Sequence, residues 1–375
     1  MKMKYKLFVA AMCCLFIFSL IGCSNDKTNI DEATVPLSLG LDVVDEKLHY
    51  YISAPVFSKE IQKKSREGEG IAEGLRQSRN QQDAQFPGSV SGRNYQVIVV
   101  GKELLQYKNW TNVLDVTFRD PRNTITDRVI AFDGPVADII HFQAKDQPPT
   151  SIFLRALIDS GSERSTTVKT TAQELHRQLN DRGITPTISE IMIENDKILL
   201  KGSALLSQEG QYRGSLTYQE TSMLQILKKE AEPGISLTFS VDGTEEELPF
   251  NTEKVSFSVG DVSVKIKSDH EDGKFQYKIK VDAVVSVTEK FLEYELLENS
   301  EDMAYELSEE MENSMEQLIK KFQQLKVDPV GFGIYSRAYQ YPFFKEVQND
   351  WGEELSRAQF DVDVNLRILA SGAVK

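Results

Sequence analysis

Four histidines, three cysteines and a few glycine-rich or charged clusters are the groups in this chain best equipped for chemistry. His49, His141, His176 and His270 stand apart, and none has a second His or Cys at metal-ligand spacing. Around His270, Ser268-Asp-His-Glu-Asp-Gly273 gathers acids that could attract a cation. It lacks the alternating oxygen ligands of a calcium loop, and a solvated hairpin turn between Ile266 and Phe275 is expected instead. Gly68-Glu-Gly-Ile-Ala-Glu-Gly74 has the glycine density of a dinucleotide loop. Such a loop needs a strand immediately before it and a helix after it. Here the preceding residues are charged, so the glycines are expected to begin and loosen a helix. Arg119-Asp-Pro-Arg122 could hold an anion, but a turn with a structural salt bridge is the plainer reading. Carboxylate pairs such as Glu309/Glu310 abound, and nothing marks one as desolvated. There is no G-x-S-x-G elbow and no phosphate-cradling G-x-x-x-x-G-K-[ST]. These residues give no positive sign of catalysis, and no metal or cofactor site is expected.

One residue does carry a chemical expectation. Lys2, Lys4 and Lys6 precede an apolar run, Leu7 to Ile21, which ends at Gly22-Cys23 and turns polar at once. The run is short for a membrane span, which needs about 20 apolar residues, and fits a secretory h-region. Its end looks like the lipobox of bacterial lipoproteins, in which cleavage falls between Gly22 and Cys23 and Cys23 is acylated. A plain secretory signal and a membrane span are the alternatives. Cys13 and Cys14 lie in the removed segment, so Cys23 is the single cysteine left, and no intrachain disulfide is possible. The chain counts 43 Lys and Arg against 57 Asp and Glu; removing the three signal lysines leaves 40 basic groups, formally −17. That balance repels nucleic acid and anionic head groups. Contact with a membrane is therefore expected through acyl chains on Cys23.

The elements that would position a functional surface read as follows. After a polar tether, 23–36, residues 37–44 and 48–52 alternate around Asp45-Glu46-Lys47 as a hairpin. Ser65 to Gln81 is polar and helical in outline. Tyr95 to Val100 is a buried strand closed by Gly101, with Tyr107, Trp110, Leu114 and Phe118 following at helical spacing. Val129 to Phe132 is a second strand, after which Pro135 opens a helix through Phe142. Thr171-x-x-Glu174 is a capping box, with Gly183 as the stop. Ile184-Thr-Pro-Thr187 looks like a boundary, giving an N-terminal α+β domain over 37–186 and a C-terminal α+β domain over 187–375. In the latter, Ile188–Ile193 and Lys197–Leu206 flank the turn Asn195-Asp196, and a short helix surrounds Met223, Ile226 and Leu227. Period-two runs follow at 255–259, 262–266 and 275–281, each with a polar alternate face. A long helix carries Leu307, Met311, Met315, Leu318, Phe322 and Leu325 on one stripe. A helix over 344–355 and a strand over 362–368 close the chain. The fold class expected is α+β, with mixed or antiparallel sheets, packed helices and more than one domain after the signal peptide, 1–22.

Several stretches together resemble a known family. They are Val99-Val-Gly-Lys-Glu-Leu104, Leu114-Asp-Val-Thr-Phe-Arg-Asp-Pro121, Gly202-Ser-Ala-Leu-Leu206 and Tyr212-Arg-Gly-Ser-Leu-Thr-Tyr-Gln-Glu-Thr221. Asp328, Val330-Gly-Phe-Gly333, Tyr341-Pro342 and Trp351 complete the series. Their order and spacing resemble the Ger(x)C family, the C-subunit lipoproteins of bacterial spore germinant receptors. Gly202, Gly214, Glu220, Thr221, Gly333, Pro342 and Trp351 fall on that family's signature. The chain departs from it at Ser24-Asn-Asp-Lys27, where many members have a Trp-Asp-Arg-type segment, and at Leu206, where the signature has Phe.

The resemblance implies a non-enzymatic subunit, lipid-anchored outside the cytoplasm on the inner spore membrane. Its implied partners are polytopic A- and B-type membrane subunits that respond to nutrients. It implies no catalytic residues, and it carries over no ligand residues. The rival reading is a lipid-anchored solute-binding protein of a transporter, which predicts an apolar cleft between two α/β lobes.

Overall fold

The computed structural model describes residues 34–56, 63–71, 74–86, 94–120, 123–143, 147–240, 254–290 and 300–370. The signal peptide, Gly22, Cys23 and all but the end of the tether lie outside the described residues.

Eight strands form the first sheet, in the order β3-β2-β1-β4-β5-β6-β7-β8. They are β1 (Ser38–Val44), β2 (Lys47–Pro55), β3 (Ser65–Ile71), β4 (Val97–Gly101), β5 (Arg128–Phe132), β6 (Thr187–Glu194), β7 (Lys197–Leu206) and β8 (Tyr212–Leu216). The four central strands β1, β4, β5 and β6 run parallel, and antiparallel strands flank them on both sides. Every residue of β4 and β5 is buried. That is the signature of strands covered on both faces, and it explains the unbroken apolar run Val97-Ile-Val-Val100. Alternate side chains feed two cores. Ile98, Val100 and Val129 pack with Trp110, Leu114 and Leu175. Val97, Val99 and Ile130 pack on the opposite face with Ile139, Leu154 and Ile158.

The covering helices are α1 (Arg79–Asp83), α2 (Asp115–Arg119), α3 (Val136–Ile140), α4 (Thr150–Glu163) and α5 (Ala172–Asn180), with a 3-10 turn Trp110–Leu114 leading into α2. Helix α4 is absent from the expectations above. Its Leu154 and Ile158 have helical spacing, but Ser160-Gly161-Ser162 are weak helix formers that blur the pattern. A Cβ at Gly161 would sit 2.7 Å from the Leu200 side chain, so the glycine lets α4 close onto β7.

The expected helix over 65–81 is corrected by β3, an edge strand in register with β2 from Ser65↔Pro55 to Ile71↔His49. Its charged composition suits an exposed sheet edge. Gly68 and Gly70 are needed there because the Phe86 and Tyr50 rings lie where their Cβ atoms would go.

The second sheet has the order β12-β11-β10-β9, with β9 (Ile235–Ser240), β10 (Lys254–Glu271), β11 (Lys274–Lys290) and β12 (Gln359–Ala370). Strand β12 runs parallel to β11, and the other pairs are antiparallel. The tip of the β10–β11 hairpin is Asp272-Gly273, with φ of 49° and 74°, the left-handed pair that a tight hairpin turn requires. The runs 255–259 and 262–266 belong to one strand. A register shift between Val259 and Val262 moves the apolar phase from odd to even numbers.

One face of this sheet packs against α7 (Ser300–Leu325), through Met303, Leu307, Met311, Met315, Leu318 and Phe322. Then follows α8 (Phe332–Tyr339), which was not expected, and the single helix expected over 344–355 is two, α9 (Tyr341–Val347) and α10 (Trp351–Leu355), joined by the 3-10 turn Gln348–Asp350.

The expected division at 186/187 falls between β5 and β6, which are neighbours in one sheet. The antiparallel character of β6–β8 resembles the second half of the chain, yet Ile130↔Ser189 pairing adds these strands to the first sheet. Helix α6 (Tyr218–Lys228) then crosses over. Met223, Leu224, Ile226 and Leu227 enter the second sheet's core, while Ser222 Oγ donates to the Ser165 carbonyl in the first half at 3.0 Å.

Candidate functional site: the junction of the two sheets

The chain leaves α7 through Lys326, in a left-handed conformation, and brings Asp328 to a fully buried position. Its carboxylate accepts backbone N–H groups from Gly331 (2.8 Å), Phe332 (3.0 Å) and Gly333 (2.8 Å) and the indole Nε1–H of Trp351 (2.8 Å). The three backbone donors are the otherwise unpaired N–H groups at the start of α8, where the helix dipole also favours negative charge. Burial pushes the Asp328 carboxyl up to about 6, against these four donors, which favour the charged form.

The backbone of Asp328 reaches into the first half. Its N–H donates to Thr185 Oγ1 and its carbonyl accepts from Thr185 N–H, each at 2.8 Å. Beside this pair two backbones touch. A Cβ on Gly333 would lie 2.7 Å from Gly183 Cα and 2.8 Å from the Trp351 ring, so neither glycine has room for a side chain. Arg337 on α8 grips Asp181 with both terminal nitrogens, at 2.7 and 3.1 Å. Partial burial works against the Asp181 carboxylate, but Arg337 and the Gly183 N–H hold it below the usual range.

A second node lies at the start of α6. Gly202 takes φ 126° in β7, and a Cβ there would overlap the Leu216 carbonyl. Ser203 Oγ accepts from Thr221 Oγ1 (3.2 Å) and from Val168 N–H (3.2 Å), while Thr167 Oγ1 donates to the Gly202 carbonyl (2.7 Å). Thr217 and Glu220 form a reciprocal capping box on α6, and Glu220 also pairs with Lys321 of α7 at 2.7 Å. Gly214 leaves space for Leu325, whose Cδ1 would be 3.0 Å from a Cβ.

A bulge in β7 aims Lys201 into a third cluster. Its Nζ meets Asp133 at 2.6 Å and the buried Glu190 at 3.1 Å, while Lys102 meets Asp133 at 3.0 Å. Partial burial raises the Asp133 carboxyl, but Lys201 and Lys102 outweigh it and hold it low. Ser215 Oγ completes the set by donating to Glu190 at 2.5 Å. Two lysines face two carboxylates, so the cluster is neutral inside itself.

The structure thus brings Gly202, Gly214, Glu220 and Thr221 together at one node and Gly333 and Trp351 together at another. Pro342 joins neither; it lies exposed in the first turn of α9. Asp181, Gly183 (expected only as a helix stop), Thr185, Lys201 and Arg337 are contributors that the sequence did not assign to a site. Asp181-Arg-Gly183 after a capped helix is the signal that could have found the first two.

The other clusters have local partners. His270 stacks on Phe343 with ring centroids 3.9 Å apart. Arg119 pairs with Asp115 at 2.6 Å, and Pro121 and Arg122 of the expected turn lie outside the described residues. Among the described residues, no three of His, Cys, Asp and Glu are grouped to hold a metal, and no helix is long and apolar enough to cross a membrane. Chemically, the junction fixes positions. It is closely packed and locked by hydrogen bonds between backbone and side chain.

Two family models match the chain: the spore germination protein N-terminal domain over residues 26–193, and the "spore germination B3/GerAC like, C-terminal" domain over 201–372. Spore germination protein B3 of Bacillus subtilis (strain 168) is 22% identical over 289 residues, covering 74% of each chain. The crystal structure of the GerBC protein superimposes with a TM-score of 0.59 at 18% identity, covering 88% of this chain and 96% of that one. The GerBC likeness supports the α+β fold read from the sequence.

Proposed function

The chain belongs to the GerAC-like spore germination family, the Ger(x)C family, and from that premise we propose that it is a non-enzymatic lipoprotein subunit of a nutrient germinant receptor. In this reading Cys23 carries the lipid, and the folded body stands on the extracytoplasmic face of the membrane beside A- and B-type integral membrane subunits. The observation that carries the reading is the use to which the signature is put. Gly214, Glu220, Thr221, Gly333 and Trp351 sit where the two halves meet, and Gly202 closes β7 onto β8 within the first sheet, packing roles that suit a scaffold better than a catalyst. Confinement beside its partners by the lipid raises effective concentration, so that modest interfaces suffice.

The test is affinity purification of the intact protein from sporulating-cell membranes in mild detergent, with mass spectrometry of what accompanies it. Recovery of polytopic germinant-receptor subunits is the expected result. Recovery of an ATP-driven permease, or of no membrane protein, overturns the reading in favour of a solute-binding lipoprotein. A companion measurement addresses the anchor: Cys23→Ala is expected to leave the membrane fraction and to lose germination activity, and a membrane-bound, fully active variant contradicts it.

A further inference from the structure

A cleft of about 240 Å³ lies beside the Asp181 end of the junction, between the 3-10 turn with α2 on one side and α5 on the other, closed at one end by the β7–β8 turn. Its base is apolar, with Leu114 and Leu175 buried, and its rim is polar, with amide, hydroxyl and carboxylate side chains.

Three observations bear on what it holds. The walls are fixed in advance. Asn109 N–H donates to the Glu209 carbonyl (2.8 Å), Trp110 Nε1–H to the Gly210 carbonyl (2.7 Å) and Gln211 Nε2 to the Gln106 carbonyl (2.8 Å). The opposite wall is set by the Thr171 cap of α5 and by Gln208 Nε2, which donates to three carbonyls at its end. Next, the rim has hydrogen-bonding capacity to spare. The side chains of Asn109, Thr111 and Asn112 line the cleft and make no hydrogen bond among the described residues. Last, the rim's carboxylates are already neutralised: Asp115 by Arg119 at 2.6 Å and Glu209 by Lys108 at 2.7 Å. Their remaining lone pairs can accept hydroxyl protons, but the rim offers no uncompensated charge to an ion. The Phe118 and His176 rings meet from the two walls at 4.5 Å and add apolar faces suited to C–H surfaces.

We propose that this cleft binds a small neutral polyol of single-ring sugar size, in preference to a zwitterion or an anion. The cleft is smaller than the usual drug-sized pocket, preformed, uncharged in sum and rich in amide and hydroxyl donors and acceptors. The proposal stands independently of the receptor reading, because co-purification tests that reading and ligand binding tests this one.

The experiment is saturation-transfer NMR on the full-length protein in detergent, with glucose, galactose and myo-inositol as probes and L-serine as the zwitterionic comparison. Saturation is expected to reach the ring protons of at least one polyol and not serine. Asn112→Ala and Thr111→Ala, both at side chains without a hydrogen-bond partner among the described residues, are each expected to weaken that binding about fivefold, the effect of one neutral hydrogen bond. The sugar-free melting temperature should stay unchanged. Absence of transfer to every polyol, equal transfer to serine, or undiminished transfer in the double variant overturns the assignment. The variants also separate cleft binding from the general stabilisation that excluded sugars give any protein.

Discussion

At Asp328 a single carboxylate satisfies four buried N–H donors, and that count governs what can replace it. Asparagine keeps the shape but turns an NH₂ group toward donors. Asp328→Asn is therefore expected to cost at least about 2 kcal/mol in urea unfolding, the penalty of a buried donor left unpaired. The pH dependence follows from the raised carboxyl. Its value in the folded protein is about 6, against 3.8 as the reference for an unfolded chain. Between those values the folded state holds the proton that the unfolded state has released, so this residue's contribution falls as pH rises from about 4 to about 6 and is flat above. Unfolding of wild type and Asp328→Asn across that window should differ in slope, and parallel curves would contradict the assignment. Gly202 is a residue-scale case of another kind. Gly202→Ala places a methyl on the Leu216 carbonyl at φ 126°, and a loss of roughly 3 kcal/mol or more is expected, read as a lower denaturant midpoint.

Elements were legible where one periodicity ran without interruption. The stripe of α7, the alternation of β11 and the all-apolar β4 each announce themselves, because burial on one face, or on two, leaves a direct trace in residue type. Legibility failed where tertiary pairing overrides composition. β3 is polar because it is an edge, and it is a strand because β2 offers it hydrogen bonds. β10 carries a bulge that no alternation count anticipates, so one strand reads as two. The candidate junction was half legible. Its glycines and Trp351 were visible as a pattern, but Asp181, Thr185 and Arg337 become partners only once residues far apart in sequence are brought together. Edge protection is a further property of elements. The outer N–H groups of Val364 and Leu366 on β12 donate to Glu312 Oε2 (3.2 Å) and Ser308 Oγ (3.0 Å) of α7, which deny the edge to another chain. The double variant S308A/E312A is expected to remain folded by circular dichroism but to self-associate in sedimentation velocity; a monomeric variant would show that the edge needs no cover.

Across the whole molecule, the two sheets meet through contacts that tolerate little rearrangement: Gly183 on Gly333, Thr185 with Asp328, Asp181 with Arg337, and Glu220 with Lys321. Wild type is accordingly expected to unfold in one calorimetric transition. Gly183→Val forces the two backbones apart and should split that transition or lower it by several degrees. An unaltered single transition would mean that the sheets are coupled elsewhere, with the Thr221–Ser203 and Ser222–Ser165 contacts of α6 the next candidates.

The Gly183–Gly333 contact also has a mechanical consequence. Most joints between packed units consist of side chains, which can change rotamer and absorb a small displacement before passing it on. Where backbone meets backbone there are no rotamers to spend, so the coupling has no backlash. A push on the long β10–β11 hairpin, which α8 overlies, has a direct backbone route into the α5–β6 loop, and so into the first sheet.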